Sequence, residues 1–350
     1  MNMHIIIAGI FFITLLLAFY EDYLKDTQKF VLLCLYAFVF IFLATTKDVD
    51  STADAANYED MFNHNDNPLQ ELYTEPSFTY LSRIVQFAGG EVGVLFFIYA
   101  IITIPGKIYA LSKMTSFIFS AMLIYVPIYF EVHDMIQIRA AAAATFLFLS
   151  ILLIVERRRA WAFLLMVIAI LFHYSSIAFL PFILIGNMKL NSYFRIAIAF
   201  LVPIGFVMYF LKLDLISLIP MFLTEGKLDY YKEAADIGLF ELTPPYLNPF
   251  FLAKCIILYL FLYYYDFIVE SNKFAPILIN VFAASILFLL SMSTISVLAS
   301  RVSDLYGIVD CVIFSYCIYL VSPRYITRIA IAIVGLYMLV HNMFFTEYFT

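Results

Sequence analysis

Long apolar runs alternate with short polar turns along almost the whole chain. A helix that crosses the hydrocarbon core of a bilayer needs about 20 mostly apolar residues, and most of these runs come close to that length. The pattern predicts twelve spanning helices, at residues 3–20, 29–45, 91–112, 116–130, 135–155, 160–172, 175–187, 195–212, 249–269, 274–299, 304–322 and 327–345. The short runs 160–172 and 175–187 are either two half-helices or one kinked span.

One stretch, residues 47–78, interrupts this apolar pattern with eight carboxylates and the single cation Lys47. So many charges cannot lie in hydrocarbon, so the stretch must emerge into water or line a wet cavity. Asp54, Tyr58 and Phe62 fall on one face of a predicted helix. The following apolar segment, 78–87, is too short to cross. We therefore expect an extracytoplasmic acidic loop over 46–90 that contains an interfacial helix.

Composition supports a membrane protein. The chain is 64% hydrophobic and 13% charged, and its mean hydropathy is +0.95, whereas a soluble domain carries roughly 25% charged residues. The four cysteines fall inside apolar runs without any CxxC pair, as buried small side chains do. The predicted fold class is an all-α polytopic membrane protein with a single integral membrane domain over 1–350.

The distribution of basic residues predicts the orientation, because short cytoplasmic loops are rich in Lys and Arg. An external N-terminus places twelve of the twenty basic residues at cytoplasmic ends, including Lys107 and the cluster at 157–159. It also places both long acidic loops, 46–77 and 213–248, outside. On this topology Lys254 lies at an outer end, and His133 and Asp134 lie in a short outer loop.

The expected outer boundary collects three arginines and a histidine: Arg83, Arg139, Arg301 and His173. Cations between helices at headgroup depth suit a phosphate or diphosphate, and nearby carboxylates can deprotonate a hydroxyl. Tyrosines of the external loops can stack on sugar faces. Purely structural interpretations stay open. The arginines can pair with acids and hold helices together, the histidine can cap a helix, and the acidic loops can be solvated surfaces.

Six short motifs follow one another in a recognisable order. They are Asp54-x-x-Asn57-Tyr58-x-x-x-Phe62, Glu75-Pro76-x-Phe78-x-x-Leu81, Gln137-Ile138-Arg139 before an alanine-rich helix, His173-Tyr174-Ser175-Ser176, Gly226-Lys227-x-x-x-Tyr231 and Arg301-x-Ser303-Asp304-x-Tyr306. Together they resemble the EpsG family, the Wzy-type polymerases of O-antigen, capsule and exopolysaccharide. Where that pattern has another polar residue soon after the arginine of the fifth span, this chain has alanines.

The resemblance implies a metal-independent glycosyltransferase of the GT-C type without a cofactor, in the bacterial inner membrane. Such an enzyme joins oligosaccharide repeat units carried on undecaprenyl diphosphate, on the outer face. A sugar hydroxyl attacks the anomeric carbon of the donor chain, and the lipid diphosphate leaves. The expected partners are the lipid-linked oligosaccharide, membrane lipid and a chain-length regulator protein, with no nucleic acid.

Residues acquire expected roles from this chemistry. The candidates for the general base, in order of preference, are Asp54, Glu75 and His173. The candidates for binding the diphosphate are Arg139 and Arg301, with Arg83 a weaker one. The expected substrate-binding residues are Asp50, Tyr58, Gln137, Lys227, Tyr231 and Tyr306.

Two alternatives stay open beside the polymerase. An O-antigen ligase uses the same donor with a different acceptor, and it needs the same arginines and base. A flippase or other transporter predicts charges spread through the bilayer midplane and two related halves of the chain. Here the unusual charges gather at one face, which favours a glycosyltransferase over transport.

Overall fold

The computed structural model describes residues 3–47, 49, 52–65, 74–213, 244–292 and 295–345. All regular structure in these residues is helical, without a β-strand. The α-helices, numbered in chain order, are α1 (Met3–Tyr20), α2 (Asp26–Thr45), α3 (Ala53–Asn63), α4 (Pro76–Phe87), α5 (Val92–Met114), α6 (Ile118–Ile124), α7 (Ile138–Val155), α8 (Arg159–Phe172), α9 (Leu180–Ile185), α10 (Ser192–Leu211), α11 (Pro249–Tyr263), α12 (Tyr265–Ser271), α13 (Ala275–Ser291), α14 (Ser296–Gly307), α15 (Asp310–Tyr316) and α16 (Arg324–Phe344). A π-helix, Tyr125–Ile136, continues α6, and 3-10 helices lie at Tyr174–Phe179, Pro245–Leu247 and Cys317–Tyr319.

Seven helical segments of the described chain are long and apolar enough to cross a membrane, or nine if each of two bent pairs is one span. The seven are α1, α2, α5, α6 with the π-helix, α7, α10 and α16. The prediction of twelve spans is thus not confirmed. Three of the expected spans are the shorter apolar helices Arg159–Phe172, Tyr174–Ile185 and Ala275–Ser291.

The chain divides into two compact units, Met1–Leu184 with Cys311–Thr350 as unit 1 and Ile185–Asp310 as unit 2. Each is described by itself below. Their presence does not test the predicted single membrane domain, which stays a prediction.

Helix hairpins give unit 1 two distinct ends. The turns at 21–25 and 115–117 meet at one end, where the Lys29 amine donates to the Ser116 carbonyl at 3.5 Å and α16 begins. The turn at 156–158 joins α7 and α8 at this end too, because α7 runs alongside α5 in the same direction, with Thr145 of α7 against Gly106. We call it the basic end, since it carries the eight residues Lys25, Lys29, Lys113, Arg157, Arg158, Arg159, Arg324 and Arg328.

A buried carboxylate ties the basic end together. Glu21 accepts hydrogen bonds from the backbone N–H groups of Phe119 at 3.0 Å and Ser120 at 3.3 Å, at the start of α6. A helix N-terminus leaves such N–H groups without partners in the helix, so an acidic side chain stabilises it. The Arg328 guanidinium of α16 donates to the same carboxylate at 3.2 Å. The α1–α2 turn, α6 and α16 are therefore locked to one another.

We call the opposite end of unit 1 the acidic end. The helix α1 begins there and α16 ends there. Glu131 lies there between α1 and α16, 3.4 Å from the His4 Nδ1 atom, and it accepts a hydrogen bond from the Asn342 amide at 3.1 Å. The two short helices of the acidic loop are joined by the Gln86 amide of α4, which donates to the Phe62 carbonyl of α3 at 2.6 Å. They pack at this end as well, since Tyr58 of α3 contacts the Phe96 ring near the start of α5.

The π-helix corrects two sequence predictions. His133 and Asp134 do not form an outer loop; they lie inside the π-helix and are buried. Lys107 is not at a cytoplasmic end either, because its amine is fully buried and 2.9 Å from the Asp134 carboxylate. The Tyr125 hydroxyl donates to the other oxygen of that carboxylate at 2.6 Å. An interior ion pair with such partners compensates part of the cost of burying each charge.

Unit 2 is built around α10, α11, α13 and α14. The helices α11 and α12 meet at Tyr264 with a bend of 88°. Lys254 was expected at an outer end but lies buried inside α11, with its amine 2.9 Å from the Asp310 carboxylate. The Ser303 hydroxyl of α14 donates to the Ser285 carbonyl of α13 at 2.9 Å, which ties these two helices together.

Candidate functional site at the acidic end of unit 1

Glu75 occupies the turn before α4. It is the residue before the helix, has an extended backbone (φ −66°, ψ 139°), and is followed by Pro76 at the first helical position. The residue before a proline avoids the helical region, and proline fits the first turn of a helix, so Glu-Pro starts α4 here. The Glu75 side chain does not cap its own helix. It points into unit 1 and is only 4% exposed.

Arg139 binds this carboxylate from the first turn of α7. Its Nη1 atom donates to Glu75 Oε2. The guanidinium lies beside two neighbouring aromatic rings, 5.3 Å from the centre of Tyr58 and 5.7 Å from that of Phe78. Both rings favour a cation over their faces. The buried alanines 140–144 that follow keep α7 thin, so it packs closely on its neighbours.

His173 reaches Glu75 from the third direction. It ends α8 in an extended conformation (φ −158°, ψ 115°), which turns the ring towards the start of α4. Its Nδ1 atom lies 3.2 Å from Glu75 Oε1. The His173 Nε2 and Arg139 Nε atoms are both buried and have no hydrogen-bond partner among the described residues.

One carboxylate therefore contacts a histidine with one oxygen and an arginine with the other. If Nδ1 carries the ring hydrogen and donates it to Glu75, Nε2 keeps a lone pair that can accept a proton. A base whose orientation is held by a third group is the arrangement that activates a hydroxyl for attack. The unused donors of Arg139 can bind an anion beside it.

Comparison with known families places this site in context. The model of the EpsG family matches residues 30–350, which is more than nine-tenths of the chain. The chain belongs to the EpsG family. This family consists of Wzy-like polysaccharide polymerases, so the resemblance of the six motifs is confirmed. No curated protein and no solved structure matches the chain.

Four more predicted site residues of this EpsG-family chain lie on the helices that form the cluster or next to them. Tyr58 is buried in α3 against Arg139, as described, and Asp54 lies half-buried one turn earlier in the same helix. Gln137 is the junction between the π-helix and α7, and its N–H donates to the Val132 carbonyl at 2.8 Å. Arg83 is exposed on α4.

The other predicted residues belong to unit 2 or lie outside the described residues. Arg301 and Tyr306 belong to α14 of unit 2. Tyr306 is 1% exposed and packs on Phe288 with ring centres 5.2 Å apart, which is the environment of a core residue. Asp50, Lys227 and Tyr231 lie outside the described residues, as do residues 214–243 of the second long loop. Their roles stay predictions.

Sequence reasoning missed two residues of the site. Phe78 lies inside the Glu-Pro motif, but nothing in an apolar side chain indicates a position beside an arginine. Lys47 was noted only as the one cation among eight carboxylates; in the structure it is buried near Asp54. A lone cation in an acidic segment is a usable signal for such a buried partner. Among the described residues, no three His, Cys, Asp or Glu side chains are placed to hold a metal ion.

Proposed function

We propose that this EpsG-family chain polymerises a polysaccharide by joining oligosaccharide repeat units carried on undecaprenyl diphosphate. The growing chain passes from its lipid carrier to the newest lipid-linked unit. The observation that carries the proposal is the Glu75–His173–Arg139 cluster at the acidic end of unit 1, in a chain of this family. In this cluster a histidine held by a carboxylate, which can act as a base, lies beside an arginine, which can bind an anion.

In this proposal His173 is the general base. Its Nε2 atom accepts the proton of the acceptor hydroxyl, the hydroxyl oxygen bonds to the anomeric carbon, and the bond from that carbon to the diphosphate oxygen breaks. Glu75 holds the ring and stabilises the imidazolium that forms. The geometry supports this order over the one expected from sequence, which preferred Asp54 and then Glu75, because Glu75 already binds two partners.

The diphosphate leaves with the bonding electrons, so stabilising its charge matters more than protonating it. We assign this role to Arg139, whose Nε atom has no hydrogen-bond partner among the described residues. Arg301 and Arg83 remain further candidates for the same anion. Tyr58 and Asp54, one turn apart on α3, are the described candidates for contact with the sugar.

The proposal also includes the setting of the reaction. Loops rich in Lys and Arg stay in the cytoplasm, and the basic end of unit 1 holds eight basic side chains against Lys47, Arg83 and Arg139 at the acidic end. This supports a site that faces the outside of the bacterial inner membrane. Twelve spans, a GT-C arrangement, independence from metals and a chain-length regulator as partner belong to the proposal as well.

The test is rescue of a host in which the gene has been deleted, with surface polysaccharide separated on a gel. The unaltered protein should restore a ladder of long chains. His173→Gln should abolish the ladder, and Glu75→Gln should leave about 1% of it or less, because the base survives but loses the carboxylate that holds its tautomer and orientation. Arg159→Lys, an exposed change at the basic end, is the matched control and should restore the full ladder.

Three results would contradict the proposal. A ladder that persists in the deletion strain would remove the polysaccharide function. A full ladder with properly inserted His173→Gln protein would exclude His173 as the base. Loss of all glycan from the surface acceptor, single units included, would favour a ligase or a flippase.

Transport is kept as a second candidate because of two buried ion pairs. Lys107 with Asp134 and Lys254 with Asp310 form buried ion pairs, and the expectation that the unusual charges gather at one face did not include these pairs. Buried charges of this kind are also found along transport pathways. The same gel decides, since a flippase mutant delivers no repeat units to the outer face.

A further inference from the structure

Lys47 occupies an unusual place for a lysine. It is the second residue after the end of α2 and is only 5% exposed. Burial of an ammonium group costs several kcal/mol unless other groups compensate for the lost water. Compensation in this position must come from the neighbouring elements of unit 1, so its contacts show which elements it joins.

The first contact is with the end of the π-helix. The Lys47 amine donates to the backbone carbonyl of Met135, which lies in the last turn of that helix. The last carbonyls of a helix have no N–H partner further along it, and a cation there is favourable. Arg139 follows Met135 by only four residues, across the junction at Gln137.

The second set of contacts is with α5 and α3. The amine lies over the Phe96 ring of α5, 4.4 Å from its centre. The same ring packs edge-on against Tyr58 of α3, at 6.5 Å between centres, and Tyr58 faces Arg139. The carboxylates of Asp54 on α3 and Asp134 on the π-helix are close enough to act on the Lys47 charge.

We infer that Lys47 is a positioning residue of the polymerase site, which holds the start of α7 and the helix α3 so that Arg139 and Tyr58 face each other. Its effect on catalysis rests on the proposed function, whereas its structural link does not. Lys47 acts through Met135, Phe96 and Asp54, and it is not itself placed against the reacting atoms.

The experiment uses the full-length protein in nanodiscs and lipid-linked repeat units extracted from the deletion strain. Lys47→Met keeps the length of the side chain and removes the charge. Its kcat should fall about tenfold to a hundredfold, because a site displaced by about 1 Å loses that much, while KM changes less than about threefold. Lys47→Arg keeps a donor and a charge and should recover most of the lost kcat. Lys113→Met, an exposed lysine beside Tyr109 on α5, is the control and should behave as the unaltered protein.

Hydrogen–deuterium exchange of the same proteins separates positioning from general stability. Exchange in Lys47→Met should rise in peptides from α3 and from residues 133–141, and stay unchanged in α8 and α16. Unchanged kcat, or exchange that rises throughout unit 1, overturns the inference. If the unaltered protein does not polymerise the units, the proposed function fails by itself, and the exchange pattern alone then decides the role of Lys47.

Discussion

At the scale of single residues, one carboxylate organises the candidate site. Glu75 has two oxygens, and each binds a partner from a different helix, His173 at the end of α8 and Arg139 at the start of α7. Removing either partner leaves a buried charge half paired, which is more costly than losing the contact itself. The same contacts that hold α4, α7 and α8 together therefore also fix the direction of the imidazole.

Lys47 makes the stability of the protein depend on pH. Burial lowers the pKa of its amine from the usual 10.5 to about 7, although Asp54 and Asp134 act in the opposite direction. Between about pH 7 and pH 10.5 the unfolded chain binds more protons than the folded one. The unfolding free energy therefore rises with pH over this range. Below pH 7 the amine is charged in both states and contributes no slope.

We therefore expect the thermal unfolding midpoint of the unaltered protein, relative to Lys47→Met, to rise between pH 7 and pH 9. The limiting slope is about 1.4 kcal/mol of unfolding free energy per pH unit. The measurement is thermal unfolding in detergent at several pH values, monitored by circular dichroism or by the fluorescence of a thiol-independent dye. Lys113→Met is the control, and its unfolding midpoint should depend on pH as that of the unaltered protein does. Parallel curves for Lys47→Met and the unaltered protein would contradict a buried, titrating amine.

At the scale of helices, the apolar pattern predicted much of what the structure contains. The run 3–20 coincides with α1, and the run 135–155 contains α7. The pattern also predicted that Arg139 and His173 lie at one boundary, because each is a polar residue at the end of an apolar run, and that the acidic loop containing Glu75 lies beside them. Their pairing was left open, since the partner of a charge depends on packing between helices distant in sequence.

The π-helix was not predictable from the apolar pattern. Apolar side chains in sequence show which residues avoid water, but they do not show whether the backbone bonds to the fourth or the fifth preceding carbonyl. The polar pair at 133–134 separates two apolar runs, which predicts a loop there. In the structure it stays helical, because Lys107 and Tyr125 supply buried partners for Asp134. π-helical backbone is rare, and its usual form, a single-turn bulge, is frequent at functional sites; this longer π-helix ends three residues before Arg139.

Close packing of α16 offers a test of the helix arrangement in unit 1. A methyl group on Gly335 would overlap the Leu123 carbonyl of α6 and lie 2.9 Å from the Phe11 ring of α1. Gly335→Ala should therefore lower the unfolding free energy by about 1 to 3 kcal/mol, despite the better helix propensity of alanine. The measurement is thermal unfolding in detergent.

The matched change is Gly9→Ala in α1, where a methyl group would meet no atom within 4 Å. It should be neutral or slightly stabilising, by up to about 1 kcal/mol. Equal effects of the two substitutions would show that α16 does not pack on α6 and α1 at this point.

At the scale of the molecule, the polymerase proposal depends on which side of the membrane the acidic end faces. The α7–α8 hairpin carries the candidate site at one end and the basic turn at the other. Arg139 and His173 lie at its open end, and the turn 156–158 closes the opposite end. A helix of 18 residues is about 27 Å long, close to the thickness of the hydrocarbon core. The site and the basic turn are therefore expected on opposite faces, whichever count of spans holds for the whole chain.

Cysteine labelling in spheroplasts tests this orientation. In a background whose four cysteines are replaced, Ala88→Cys places a thiol in the exposed turn between α4 and α5, and Arg158→Cys places one in the exposed basic turn. An impermeant maleimide should label Ala88→Cys in intact spheroplasts and Arg158→Cys only after permeabilisation, because basic loops stay in the cytoplasm. The opposite pattern would place Glu75, Arg139 and His173 on the cytoplasmic face. Lipid-linked units delivered to the outer face could not then reach them, and the polymerase proposal would fail even if the three side chains proved essential.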